Sequence, residues 1–74
     1  MRVTYDPATD TLRLVLAEGP IRESVEEPSG VILDYAADGR LVALEVLDAS
    51  SRVDEVDAVR LEVAGRPPLG RAAE

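Results

Sequence analysis

Two carboxylates on neighbouring predicted strands are the residues of this sequence best placed to do chemistry. Asp34 and Glu45 flank the dipeptide Asp38-Gly39, which favours a tight hairpin turn. In that hairpin the two carboxylates become diagonal neighbours on one face, with their backbones about 7–8 Å apart. Such a pair can act as acid and base in glycoside hydrolysis. Because a sheet of this size offers no enclosed cleft and catalysis needs a shielded site, we expect both to be solvated residues of an outer face.

The composition removes most other catalytic and metal-binding chemistry. The 74 residues include no Cys and no His, which excludes disulfides, cysteine nucleophiles and histidine acid–base catalysis. Asp6, Asp38 and Asp48 lie in or beside predicted turns, where bonds to the local backbone explain them. The spacing of the acidic residues matches no calcium-binding loop. We therefore expect no catalytic residue, no metal site and no cofactor.

Charge and hydropathy restrict the partners of the chain. Eight basic residues against fifteen acidic residues give a net charge of −7, which disfavours binding to nucleic acid through its phosphates. No apolar run approaches the roughly 20 residues of a membrane-spanning helix, and we expect no cleavable signal at the start of the chain. We expect a cytoplasmic protein that binds neither nucleic acid nor membrane, and whose acidity favours a basic protein partner.

A period of two in the apolar residues predicts a mainly β fold of the α+β class. We expect a single small antiparallel sheet of five to six strands in meander order, with one short C-terminal helix near residues 50–56. The segment from Asp48 to Ser51 offers good capping residues for that helix. The predicted strands are residues 2–5, 11–16, 21–25, 31–35, 41–47 and 59–63. The third strand is charged, which suits a sheet edge. Residues 1–64 then form the only domain, and residues 65–74 form a flexible tail.

The predicted hairpin of residues 31–47 carries more apolar surface than a small domain can cover. A two-residue turn pairs Tyr35 with Val42, Leu33 with Leu44 and Val31 with Val46. These six residues make one face wholly apolar, and we expect that face to be the core. A domain of this size buries only about 60% of its unfolded surface. Either residues 50–63 fold back over the opposite face, or a second chain covers it. We expect a homodimer whose interface contains Ile32, Leu41, Ala43 and Leu47.

Several short motifs occur in the order found in a known family of proteins. They are Tyr5-Asp6-Pro7, Asp10 with Leu12, the strand from Gly30 to Asp34, Asp38-Gly39, and the segment from Leu44 to Ser50. Over residues 1–52 the chain resembles the YuzE-like family of small bacterial proteins, also called domain of unknown function 2283. It departs from the family at Val42-Ala43-Leu44, where an Ile- and Gly-containing run is usual. The resemblance implies a compact, sheet-rich fold and no established activity. Members are often encoded beside small toxin-like proteins, which implies an antitoxin-like role.

Three classes of function remain open. The first is a non-catalytic protein-interaction module, which in its antitoxin-like form neutralises a basic toxin. The second is a self-associating structural or accessory protein. The third is a carboxylate-based metal binder or hydrolase built on Asp34 and Glu45. We favour the first class, and its candidate contact residues are the acidic side chains Glu23, Glu26, Glu27, Asp54, Glu55 and Asp57.

Overall fold

Five antiparallel strands form one open sheet in the computed structural model, which describes residues 1–65 of the chain. The strands are β1 (Arg2–Asp6), β2 (Thr11–Val15), β3 (Glu23–Glu26), β4 (Val31–Tyr35) and β5 (Leu41–Val46). The predicted antiparallel β sheet is confirmed, and the bounds of these five strands agree with the predicted ones within two residues. Residues 66–74, the greater part of the predicted tail, lie outside the described residues.

The strands are ordered β1-β2-β5-β4-β3, so the predicted meander is wrong. Strand β2 pairs with β5 rather than with β3, and this pairing sets Leu12 opposite Val46 and Leu14 opposite Leu44. The apolar strands thereby occupy the centre of the sheet. Strand β3 lies at an edge, as its charge predicts, and all four of its residues are exposed. A meander would have placed this charged strand in the middle, where its carboxylates would lose water.

The chain after β5 contains neither of the predicted elements. A 3₁₀ turn, Ala49–Ser51, is found where a helix over residues 50–56 was predicted. The helix is absent because Ser50, an expected capping residue, binds Asp10 through both its backbone N–H and its hydroxyl. Residues 59–63 form no strand, and Val59 and Leu61 are 71% and 54% exposed. No helix within residues 1–65 has the length and apolar character to cross a membrane.

The β4–β5 hairpin keeps its predicted register except beside the turn. Two of the three predicted cross-strand pairs are confirmed, namely Val31 with Val46 and Leu33 with Leu44. Tyr35 pairs with Leu41 instead of Val42, because a register shift at Asp34/Tyr35 accompanies a loop longer than two residues. The Ala36 N–H closes this loop by donating to the carbonyl of Arg40 at 2.9 Å.

The buried core is thin and differs from the predicted one. Its buried apolar residues are Ala36, Val42, Ala43 and Ala49. The first three form a cluster, and Val15 packs against it. Of the six residues of the predicted core face, Val42 is buried and the other five are half-buried. Sheets in small domains normally bury a face against a second layer, and no helix beyond the 3₁₀ turn is present in residues 1–65 to provide one. Apolar surface of the sheet therefore remains partly open.

Candidate functional site

Asp10 joins the β1–β2 turn to the segment that follows β5. Tyr5 Oη donates a hydrogen bond to Asp10 Oδ1 at 2.8 Å, and the backbone N–H of Ser50 donates to the same oxygen at 3.0 Å. The hydroxyl of Ser50 donates to Asp10 Oδ2 at 2.7 Å. A fourth bond runs from the Ala49 N–H to the Asp10 carbonyl at 2.9 Å. We call Tyr5, Asp10 and Ser50 the Asp10 clamp.

Two aspartates, one in the clamp and one two residues before Ser50, have a left-handed backbone conformation. Asp10 and Asp48 have φ angles of 53° and 54°, in the left-handed region, which short polar side chains tolerate better than other non-glycine residues. The Asp48 carbonyl accepts a bond from the hydroxyl of Ser51 at 2.9 Å, and Ala49 between them is fully buried. The family-like segment after β5 therefore serves to bring Ser50 to Asp10.

The Asp10 clamp shifts the titration of both of its ionisable groups away from neutral pH. Hydrogen bonds from Ser50 and Tyr5 hold the pKa of Asp10 below its ordinary value of 3.8, because they stabilise the charged carboxylate. The pKa of Tyr5 is raised above 10.0, first by its hydrogen bond to Asp10 and then by burial. General acid–base catalysis needs a group that titrates near the working pH. The hydrogen bonds of the Asp10 clamp join the β1–β2 turn to the segment after β5.

Asp34 and Glu45, the carboxylates predicted to share a face, do share one. Asp34 lies opposite Ala43, and Glu45 lies opposite Ile32, so the two are diagonal neighbours on β4 and β5. The prediction that Asp34 is solvated is wrong, since Asp34 is only 1% exposed. Its Oδ1 accepts a bond from the Ser24 hydroxyl at 2.6 Å, while its Oδ2 is buried and has no hydrogen-bond partner among residues 1–65. We call Asp34 and Glu45 the carboxyl pair.

Glu45 connects the carboxyl pair to the surface of the sheet. The pKa of Glu45 is raised above 4.5, mainly because its protonated form can donate a hydrogen bond to Asp34, and further by burial and by the charge of Asp34. Arg13 opposes this rise, although its Nε lies as far as 4.0 Å from Glu45 Oε2. An open cleft of about 480 Å³ beside Glu45 is lined by Thr4, Asp6, Thr9, Thr11 and Arg13. The cleft is open to solvent, whereas catalysis needs a shielded site.

The other residues predicted to be functional are distributed over several elements. Of the predicted interface residues, Ala43 is fully buried within the single chain, while Ile32, Leu41 and Leu47 are half-buried. All six predicted acidic contact residues are exposed. Three of them belong to β3 and the residue after it, and three follow the 3₁₀ turn: Glu23, Glu26, Glu27, Asp54, Glu55 and Asp57. Within residues 1–65, no group of three or more acidic side chains is arranged to hold a metal ion.

Sequence reasoning did not anticipate the Asp10 clamp. Asp10 and Ser50 are 40 residues apart, and no periodicity relates two side chains at that separation. The one available signal was that Tyr5, Asp10 and Ser50 all belong to the family-like motifs. The same reasoning did place Asp34 beside Glu45, because the register of a hairpin follows from its turn and its apolar pattern.

Comparison with known proteins identifies the family of the chain. A family model described as a protein of unknown function (DUF2283) matches residues 2–50. No curated protein and no solved structure matches the chain. The matched segment is about two-thirds of the 74 residues, and it contains all five strands and the Asp10 clamp. The chain therefore belongs to the DUF2283 family, as its motifs predicted.

Proposed function

We propose that this chain is a non-catalytic protein-interaction module that binds a basic protein partner. The observation that carries the proposal is the acidic edge strand β3. It pairs with β4 alone and lies at the end of the sheet, and all four of its residues are exposed. Two of the four are Glu23 and Glu26, and Glu27 follows directly. An open strand edge is a surface onto which a partner can add a strand, and the carboxylates favour a cationic one.

Charge and apolar contacts have separate roles in this proposal. The net charge of −7 and the exposed carboxylates accelerate encounter with a cationic surface, and salt weakens that effect. Val25, which is 37% exposed in the middle of β3, supplies apolar contact at the same edge. We expect the charges to govern the rate of association and the apolar contacts to govern the lifetime of the complex.

The experiment is co-expression of the chain with the product of its adjacent small gene. For an antitoxin-like module we expect rescue of growth and a co-purified complex that weakens as salt is raised. The test variant is Glu23→Gln, Glu26→Gln and Glu27→Gln, and the matched control is Asp54→Asn, Glu55→Gln and Asp57→Asn, which removes the same number of charges. The β3 variant should lose more of the complex than the control. The proposal is wrong if neither rescue nor a complex occurs at any salt, and hydrolysis that is lost in Asp34→Asn or Glu45→Gln would favour an enzyme.

Self-association is the second candidate, and the half-buried apolar surface of the sheet favours it. Burying a Leu side chain contributes roughly 1.5–3 kcal/mol, and a two-fold interface contains each side chain twice. We expect Leu41→Glu to raise the dissociation constant of the dimer by about a hundredfold or more, because two such contacts are lost. Light scattering over a dilution series checks this, with the exposed Leu61→Glu as the control. Self-association is contradicted if the wild-type chain is monomeric at concentrations on the order of micromolar, where a weak dimer would form.

A further inference from the structure

We propose that Asp34 and Glu45 hold a single proton between them, and that loss of this proton loosens the edge strand β3. The proposal starts from the buried Oδ2 of Asp34, which has no hydrogen-bond partner in the described part of the chain. A buried polar atom without a partner is destabilising, and an ionised carboxylate is more costly still. Glu45 is the diagonal neighbour of Asp34 on the same face. A carboxyl group can donate to Oδ2 only while it carries a proton.

Other ways of satisfying Asp34 fit the structure less well. None of the ion pairs formed within residues 1–65 includes Asp34. Arg13 lies on the far side of Glu45, at 4.0 Å from that carboxylate. A hard cation needs six or more oxygen ligands or several waters, whereas Asp34 Oδ2 is shielded from solvent. By register, the remaining charged groups on this face of the sheet are Arg2 and Asp6 on β1, Arg13 on β2 and Glu26 on β3.

Asp34 links the carboxyl pair to the edge strand. The hydroxyl of Ser24, in β3, donates to Asp34 Oδ1 at 2.6 Å, and Ser24 lies directly opposite Asp34 in the ladder. Loss of the shared proton leaves two like charges together, one of them almost fully buried. Water can solvate these charges most easily where its entry disrupts the least packing. Strand β3 is short and exposed along its whole length, so we expect β3 to loosen first.

The direction of the pH dependence follows from the raised pKa of Glu45, whose main cause is the hydrogen bond that protonated Glu45 can donate to Asp34. The folded sheet binds the proton more tightly than a form in which Glu45 is free in water. The stabilisation is therefore complete below the ordinary pKa of 4.5 and is lost as pH rises through the folded-state pKa. Arg13 reduces the effect because its charge favours ionised Glu45.

The experiment is an NMR titration of the free protein that follows the side-chain carboxyl carbons and the hydrogen exchange of β3 amides. We expect the pKa of Glu45 to lie above its ordinary value of 4.5. We also expect the protection of β3, corrected for the intrinsic pH dependence of exchange, to fall about tenfold for each unit by which the pKa of Glu45 is raised. Protection of β2 should change less. In Glu45→Gln, whose amide donates to Asp34 at every pH, β3 protection should become independent of pH.

Three further variants separate the shared proton from a purely structural role. Asp34→Asn keeps an acceptor for Ser24 and places an amide beside Glu45, so the pKa of Glu45 should fall. Ser24→Ala should weaken β3 at every pH without removing the pH dependence. Glu26→Gln removes another carboxylate of the same face and should leave the titration of Glu45 unchanged. The proposal is wrong if Glu45 titrates independently of Asp34, or if β3 responds to pH in Glu45→Gln as it does in the wild type.

Discussion

Replacing Ala43 by aspartate is expected to unfold the domain. Ala43 is fully buried and lies between Val15 and Asp34 in neighbouring strands. The new carboxylate would be buried without a partner and beside an existing acidic group, at a cost of about 3–5 kcal/mol. A single core of this size rarely supplies more than about 3–5 kcal/mol in total. Circular dichroism and urea titration should show a chain that is mostly unfolded at neutral pH.

The matched control for this prediction is Ala37→Asp. Ala37 is exposed in the loop between β4 and β5, so the same chemical change there should alter stability by less than about 0.5 kcal/mol. The comparison of these two variants also tests whether Ala43 belongs to the core of the single chain or to an interface, to which sequence reasoning assigned it. A folded but monomeric Ala43→Asp chain would restore that assignment and contradict the burial described above.

Replacing Asp10 by alanine is expected to release the segment after β5 and to lower the unfolding midpoint by several degrees. The substitution removes the acceptor for Tyr5 and for both donors of Ser50. It also places alanine at a φ of 53°, where most side chains are strained. Asp10→Asn keeps one acceptor oxygen and tolerates that backbone, so its effect should be smaller. Thermal unfolding and exchange of the Ser50 amide measure both effects.

Asp38→Ala is the control, because Asp38 also accepts two hydrogen bonds in a turn. Arg40, two residues further along the chain, donates both bonds, at 3.1 and 2.9 Å. These bonds therefore stabilise only the local turn. The pKa of Asp10 and that of Asp38 are both held below 3.8 by such bonds. Each of these two carboxylates therefore stabilises the fold at pH values above 3.8. Its contribution to stability is lost as pH falls through its folded-state pKa. Equal losses of stability in Asp10→Ala and Asp38→Ala would contradict a long-range role for the Asp10 clamp.

The sequence predicted the local features of the sheet and failed where the answer depends on distant contacts. Alternation identified the hairpin of β4 and β5, and charge identified β3 as an edge strand. The order of strands depends on whether β2 pairs with β3 or β5, which alternation within each strand does not encode. The alternation of residues 59–63 suggested a strand because a period of two describes a segment able to pair, whether or not a partner strand is present.

For the candidate sites, too, the sequence predicted local features and missed those that depend on distant contacts. The register placed Asp34 beside Glu45, but the burial of Asp34 depends on small neighbours in two other strands, Ser24 and Ala43. The predicted helix after β5 rested on good capping residues, and the structure uses Ser50 to bind Asp10 instead. Capping propensity describes a local choice, and a contact across 40 residues overrides it.

The most direct test of the proposed function is the rate at which the chain associates with the purified product of its adjacent small gene, measured at low and high salt. The proposal predicts fast association that slows as salt rises. It also predicts that Glu23→Gln, Glu26→Gln and Glu27→Gln together lower the low-salt rate constant by about tenfold or more. The variant with Asp54→Asn, Glu55→Gln and Asp57→Asn should lose less. Equal association rates for the wild type and both variants, or no association at either salt, would contradict a function carried by the acidic edge of β3.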